Sequence, residues 1–412
     1  MEYRFLLVSL NIDAVLEEVT ISQRKKKLGQ MIKGGGLRDG YSATLARIKA
    51  QKGSKARLGI EMLMWLSHSE RPLNSNELCH ALGVEIGSTD LDYQNIPAIE
   101  TLLGCSQGLV IVEASSYTVR LVHYTLKEYL SNNTDLFDRP HSMIAEVCLT
   151  YLGSQCIGDL LPILGEPSPA TPLLEYASCY WGIHARREIT RGVNKLALGL
   201  LDRFENHVSS AMLLSNWGDN WDRKLRRSNS MGFTGLHGVA HLGIVETAVA
   251  LLEMKKWDLS ATDMAGNTAI LWAARRGHGE IVKILLASNR IAGNIPDTDG
   301  RTPLSWAASL AHKGIVKLLL KNDVDPDTPD RDGRTPLSWA AEFGREGITK
   351  MLLQCEDVAP DTTDKTGLTP HSWAAGNGHT RVMGMLRQRS IVGQHLVATP
   401  ASQTVFTRTS RK

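Results

Sequence analysis

The 412-residue sequence lacks the signatures of several protein classes. No apolar run free of charge approaches the ~20 residues that a bilayer helix needs, so no membrane span is expected. The first ten residues, MEYRFLLVSL, carry Glu2 and Arg4 ahead of a very short apolar run, which makes a poor secretory leader. The six cysteines, at 79, 105, 148, 156, 179 and 355, include no CxxC pair. That pattern fits reduced thiols in a cytoplasmic protein better than a disulfide framework or a structural zinc site. There is no Gly-Lys dipeptide, so the phosphate-binding loop G-x-x-x-x-G-K-[ST] is absent. The string G-x-S-x-G occurs once, as GCSQG (104–108), but between an expected helix and an expected strand rather than on the strand-to-helix turn that a nucleophile elbow needs.

Charge of one sign is also scarce. Lys and Arg number 46 against 43 Asp and Glu, a net of +3. Residues 1–228 balance at zero and 229–385 carry −2, so the excess sits in 386–412, which hold five bases and no acid. A folded nucleic-acid binder usually gathers positive charge on one face, and the bulk balance gives no hint of one. What the chain does have is an ordinary globular composition, 42% apolar and 22% charged, which excludes disorder throughout. At about 100–200 residues per domain, its length suits two to four domains.

Self-similarity is the strongest signal. Five segments align on a threonine: FTGLHGVA, NTAILWAA, RTPLSWAA twice, and LTPHSWAA. The threonines are 234, 268, 302, 335 and 369, spaced 34, 34, 33 and 34. Two residues before each stands a glycine, and five before each an aspartate or, at Asn229, its amide. Nine after each, Gly243, Gly277, Gly344 and Gly378 recur, with Ala311 as the exception. Asp and Gly suit a tight turn. Thr caps a helix whose first position, Pro, gives up a donor that had no partner anyway. Paired alanines keep the first helix thin, a Leu-rich second helix supplies the core, and glycine ends the first helix.

This pattern resembles the ankyrin repeat over about 160 residues. The resemblance implies a solenoid of five units, expected over 229–390, whose stacked faces must be read together. Trp272, Trp306, Trp339 and Trp373 each follow their threonine by four residues. Packing between helices is the expectation for them, with a binding stripe as the alternative. His237 and His241 have metal-ligand spacing, but Gly238 replaces the needed Glu and no third ligand is evident, so a structural role is expected. His371 takes a position held elsewhere by Leu or Ile, which a terminal unit tolerates.

The first half reads differently. Apolar spacing predicts helices near 57–69, 71–84 (with Asn74 and Glu77 as a capping box) and 96–104. A hairpin over 108–123 turns at Ala114, Ser115 and Ser116, and TLKEYL returns to helix. Three helices followed by a hairpin is a winged-helix order, expected over 57–140. The strings LMWLSHSERPLNSNEL, GLVIVE and VRLVHYTLKEYL resemble the winged-helix segment of fungal NACHT–ankyrin proteins. AEVCLTYL and PLLEYASCYWGIHARRE resemble the helical spacer of the same proteins, here 141–228. FLLVSLNIDAVLEEVT resembles the end of their NTPase module, here 1–56.

The resemblance implies the C-terminal part of a larger signalling receptor, beginning after the nucleotide-binding motifs. GGGLRDG (34–40) is expected to be a loop rather than a phosphate cradle, and 391–412 a disordered basic tail. The third helix offers Glu100 and no base, so DNA reading is not expected. Arg24, Lys25, Lys26 and Lys27 suit a solvated helix face, or else a nuclear signal.

The fold class is therefore mainly α: a helical and winged-helix first half, then an ankyrin-repeat solenoid. The expected function is non-catalytic protein interaction, in the cytoplasm or alternatively the nucleus, with no cofactor, metal or membrane. A DNA-binding regulator and a nucleotide hydrolase with an unrecognised site are the alternatives. By resemblance, the contact positions are Phe233, Asn267, Arg275, Arg276, Arg301, Leu310, Arg331, Arg334, Glu342, Phe343 and Lys365, with Arg301 and Arg334 expected to be exposed.

Overall fold

The computed structural model describes residues 19–26, 37–160, 170–216, 232–288 and 293–397. The chain divides into two compact units, Met1–Gly235 and Leu236–Lys412. Among the described residues, no helix is long and apolar enough to cross a membrane.

In the first unit, α1 (Leu37–Lys49) buries Tyr41, Thr44, Leu45 and Ile48, the i, i+3, i+4, i+7 stripe of an amphipathic helix. That stripe draws Leu37–Gly40 into the first helical turn, which corrects the loop expected at 34–40. Residues 34–36 lie outside the described residues, as do 1–18, and with them most of the segment resembling an NTPase-module end.

Three helices follow: α2 (Ser54–His68), α3 (Ser75–Gly83) and α4 (Ile99–Cys105). The capping box at α3 is present. Asn74 accepts from the Glu77 amide at 2.9 Å, and the Asn74 amide donates back to the Glu77 carboxylate at 2.8 Å. Strands β2 (Val110–Val112) and β3 (Thr118–Leu121) form the hairpin in antiparallel register, Val110 opposite Leu121. A strand too short for periodicity to show, β1 (Leu73–Asn74), pairs with β3, giving the sheet order β1-β3-β2. Helix α5 (Tyr124–Asn132) leaves the sheet.

Four longer helices, α6 (Pro140–Gly153), α7 (Leu174–Arg187), α8 (Arg191–Leu201) and α9 (Val208–Asn216), follow in this unit, with the single helical turn Gln155–Gly158 after α6. Helix α6 is buried along most of its length and packs against α7 and α8, while α7 also packs on α9. The middle helices carry a polar knot of His141, Tyr176 and His184 inside this apolar setting.

The second unit is a row of helix pairs: α10 (Gly235–Leu242) with α11 (Val245–Glu253), α12 (Ala269–Arg276) with α13 (Gly279–Ser288), α14 (Pro303–Ser309) with α15 (Lys313–Lys321), α16 (Pro336–Glu342) with α17 (Glu346–Leu353), and α18 (Pro370–Gly376) with α19 (Thr380–Val397). Thr268, Thr302, Thr335 and Thr369 each cap a first helix by accepting the backbone N–H three residues on. Leu304 and Leu337 are fully buried at the same place in adjacent units. Backbone bonds join successive turns: the Thr298 amide donates to Ala265, Arg331 to Asp299, and Lys365 to Asp332, each at 2.9 Å.

Helix α19 runs to Val397, so the tail expected to be disordered from 391 begins helical. The first proline after Thr380 is Pro400, and nothing before it lacks the amide a helix needs. Residues 398–412 lie outside the described residues.

Candidate functional site

The site is built from three positions of the repeat: the aspartate that opens each turn, the residue just before the threonine, and the tryptophan four residues after it. One Asp263 oxygen accepts the backbone amides of Ala265 and Asn267 at 2.9 and 2.8 Å. The other accepts the indole N–H of Trp272 at 2.9 Å. The same arrangement recurs as Asp297 with Trp306, Asp330 with Trp339 and Asp364 with Trp373, at 2.8, 2.9 and 2.8 Å. A carboxylate removed from water needs its lone pairs satisfied, and here the turn and the helix share that task. Burial still pushes the Asp297 carboxyl upward, against the bonds from Trp306 and the turn amides.

Sequence reasoning missed this bond. Its signal was the constant nine-residue interval from Asp to Trp in four units. Because the indole N–H is spent on the turn, the tryptophans serve packing, as expected, and leave their ring faces to neighbours.

Arginines fill the gaps between those rings. The Arg275 guanidinium carbon lies 5.4 Å from the Trp272 ring centre and 4.3 Å from that of Trp306. Arg301 lies 3.8 Å from Trp306 and 3.7 Å from Trp339. Arg334 lies 3.5 Å from Trp339 and 4.0 Å from Trp373. The result is one alternating column: Trp272, Arg275, Trp306, Arg301, Trp339, Arg334, Trp373. Guanidinium planes stack on indole faces because the ring quadrupole attracts cations and the group is weakly hydrated. Burial lowers the Arg301 pKa to about 10, with Asp297 and Asp330 opposing and Arg334 and Arg275 adding to the fall. Arg301 therefore remains charged at neutral pH.

The column corrects the exposure expected for Arg301 and Arg334. Arg301 and Arg334 are only 7% and 8% exposed, because each is clamped between its own unit's tryptophan and the next. Arg275 is buried in the same way. Phe233 is fully buried, 6.0 Å from the Phe204 ring. Asn267 is buried with its side-chain amide on both Asp263 oxygens, at 3.1 and 3.0 Å.

The remaining contact positions keep surface. Leu310, Arg331 and Lys365 are exposed, while Arg276, Glu342 and Phe343 are half-buried. Phe343 stacks parallel to Trp339 with ring centres 6.3 Å apart. Glu342 pairs with Arg334 of its own unit.

The histidines serve the fold. The Nε2 of His237 bonds the Ala261 carbonyl at 3.1 Å. His278, His312 and His379 donate to the backbone carbonyls of His241, Arg275 and Glu342, tying each unit to the one before. His371 accepts from Arg387 at 3.1 Å. Among the described residues no group of three or more His, Cys, Asp or Glu is placed to hold a metal.

Comparison with known families agrees with this geometry. Residues 236–330 and again 313–395 match the family described as ankyrin repeats in three copies. Residues 236–395 are ankyrin repeats. Residues 44–148 match the winged helix domain named after GPI inositol-deacylase. The chain therefore carries a winged-helix domain in its first half and ankyrin repeats in its second. No curated protein matches the chain.

Proposed function

We propose that the chain is a non-catalytic interaction protein that recognises a protein partner through the surface edged by the ankyrin column. The observation that carries this reading is the stack of ankyrin repeats itself. Its buried column of tryptophans and arginines fixes the bordering side chains before any partner arrives, so little ordering cost remains at binding. Leu310, Arg331 and Lys365 are exposed and Arg276 and Phe343 half-buried, which makes them the positions offered to a partner.

The order of winged helix, helical spacer and ankyrin repeats supports a place in a NACHT-type signalling receptor of fungal self/non-self or stress response, with the winged-helix half relaying partner binding. On this reading the chain works in the cytoplasm, hydrolyses neither ATP nor GTP, and takes no cofactor. Affinity purification with the parent chain and with Leu310→Asp and Arg276→Glu variants tests it. The expected result is a partner set lost with the variants while both retain the parent melting temperature. Turnover of ATP that survives repurification and disappears with a point mutation in this chain would overturn the non-catalytic assignment.

A further inference from the structure

Arg301 and Arg334 occupy the same position in adjacent repeats, thirty-three residues apart, yet their surroundings differ at one point. Both guanidinium groups are clamped between two indoles, and both Nε atoms are buried without a hydrogen-bond partner. The Nη2 of Arg334 donates to the Glu342 carboxylate. Arg301 has no such acceptor: among the described residues, no side chain or carbonyl accepts from its guanidinium. The residue corresponding to Glu342 in its unit is Ser309, whose hydroxyl donates to the Trp306 carbonyl at 2.9 Å.

A guanidinium more than nine-tenths buried and still charged carries a desolvation cost that Asp297 and Asp330 offset only in part, and an arriving anion lowers what remains. With both faces covered by indole, only the edge that bears the terminal nitrogens is left to bond. That edge suits a planar two-oxygen acceptor, and Glu342 shows the acceptor that the repeat uses one unit away. The charge around the position is also right. Arg275 stacks on the other side of Trp306, and Arg345 donates its Nε to the Ser309 carbonyl at 3.0 Å. The nearest acids, Asp297 and Asp330, are already committed to turn amides and indoles.

We propose that Arg301 is the anchor for a glutamate or aspartate side chain of the protein partner, seated where Glu342 sits beside Arg334. This rests on the reading of the repeats as a protein-recognition surface, and it specifies what that surface selects. The slot formed by Trp306, Arg301 and Trp339 is a carboxylate receptor, and Ser309 brings no carboxylate of its own to it.

The test uses the full chain and a random dodecapeptide display library. Selected peptides are expected to share an acidic residue at one position. A synthetic copy with that residue changed to its amide should bind about tenfold more weakly or worse. The decisive variant is Ser309→Glu, which gives this repeat the internal carboxylate its neighbour has. It should melt at the parent temperature and lose the acidic peptides by about tenfold, as an intramolecular competitor would. Arg301→Gln should lose them too, and circular dichroism reports whether it remains folded.

Selected peptides without an acidic position, or unchanged binding by Ser309→Glu, would overturn the carboxylate anchor and leave protein recognition standing. Failure of the library to yield any peptide would count against the recognition surface itself, and this inference would fall with it.

Discussion

The indole N–H of each ladder tryptophan explains why the ankyrin turns hold their shape. Trp339→Phe keeps an aromatic face for the arginines but leaves one Asp330 oxygen without its donor. Losing a hydrogen bond to a buried charged group costs about 1.5–3 kcal/mol, and urea titration should find a fall of that size. The arginines change an expectation drawn from sequence. Exposed turn residues would tolerate truncation almost freely. Arg301 instead stacks on two rings, so Arg301→Ala should cost about 2 kcal/mol, the value for a desolvated cation–π contact. A melt indistinguishable from the parent would mean that the stack contributes nothing. The burial could not be read from Arg301 alone, because its second wall, Trp339, comes from the next repeat. An arginine between a glycine and a threonine looks like any solvated turn residue.

At the scale of the helix pair, two irregularities in the repeats prove to be one. A Cβ on Gly243, Gly277 or Gly344 would come within 2.5, 2.8 and 2.6 Å of the ring of His278, His312 or His379 in the following unit. Ala311 departs from the glycine pattern with φ at +66°, and the residue facing it one repeat later is Arg345 rather than histidine. Arg345 keeps the inter-unit bond, to the Ser309 carbonyl, with a flexible chain in place of a ring. Ala311→Gly should therefore stabilise the stack by roughly 1 kcal/mol, through relief of left-handed strain. Arg345→His alone should destabilise by about 1–3 kcal/mol, because the ring meets the Ala311 methyl.

Combined, the two changes should recover most of the loss, and a double-mutant cycle by chemical denaturation measures that coupling. Additive effects would sink the argument. Both departures stood in the sequence, but thirty-four residues separate them, and only stacking shows that they face each other. Leu304 and Leu337 were easier to read, since a period of one repeat puts them in one core row. Leu337→Ala should cost about 2–5 kcal/mol and loosen the adjoining repeats. The winged-helix strands divide in the same way. The hairpin was legible from its β-rich runs, whereas β1 is two residues long and exists only because β3 offers it a partner.

At the scale of the whole molecule, acid should act on the first unit through a cluster that has no repeat signature. The Tyr176 hydroxyl accepts from the Glu70 backbone amide at 3.1 Å and also bonds His184 Nε2 at 3.0 Å. The Nδ1 atoms of His141 and His184 lie 2.8 Å apart, so one donates and the other accepts. The accepting ring is neutral, because a protonated imidazole has no lone pair to offer. Burial lowers the pKa of His68, His141 and His184, with the neighbouring Arg187 pushing in the same direction, and His184 falls to about 3.

The unfolded chain titrates near the ordinary histidine pKa of about 6.5, so it takes up protons that the folded unit refuses. Stability from this cluster is full above that pH and is lost progressively below it, on the way to the folded values. Protection factors for the amides of Leu174–Arg187 should accordingly fall between pH 7 and pH 5, and His184→Asn should flatten the slope, because an amide takes up no proton in that range. Protection unchanged over the interval would show that the unfolded chain gains no protons relative to the folded one, and that burial does not hold these histidines neutral.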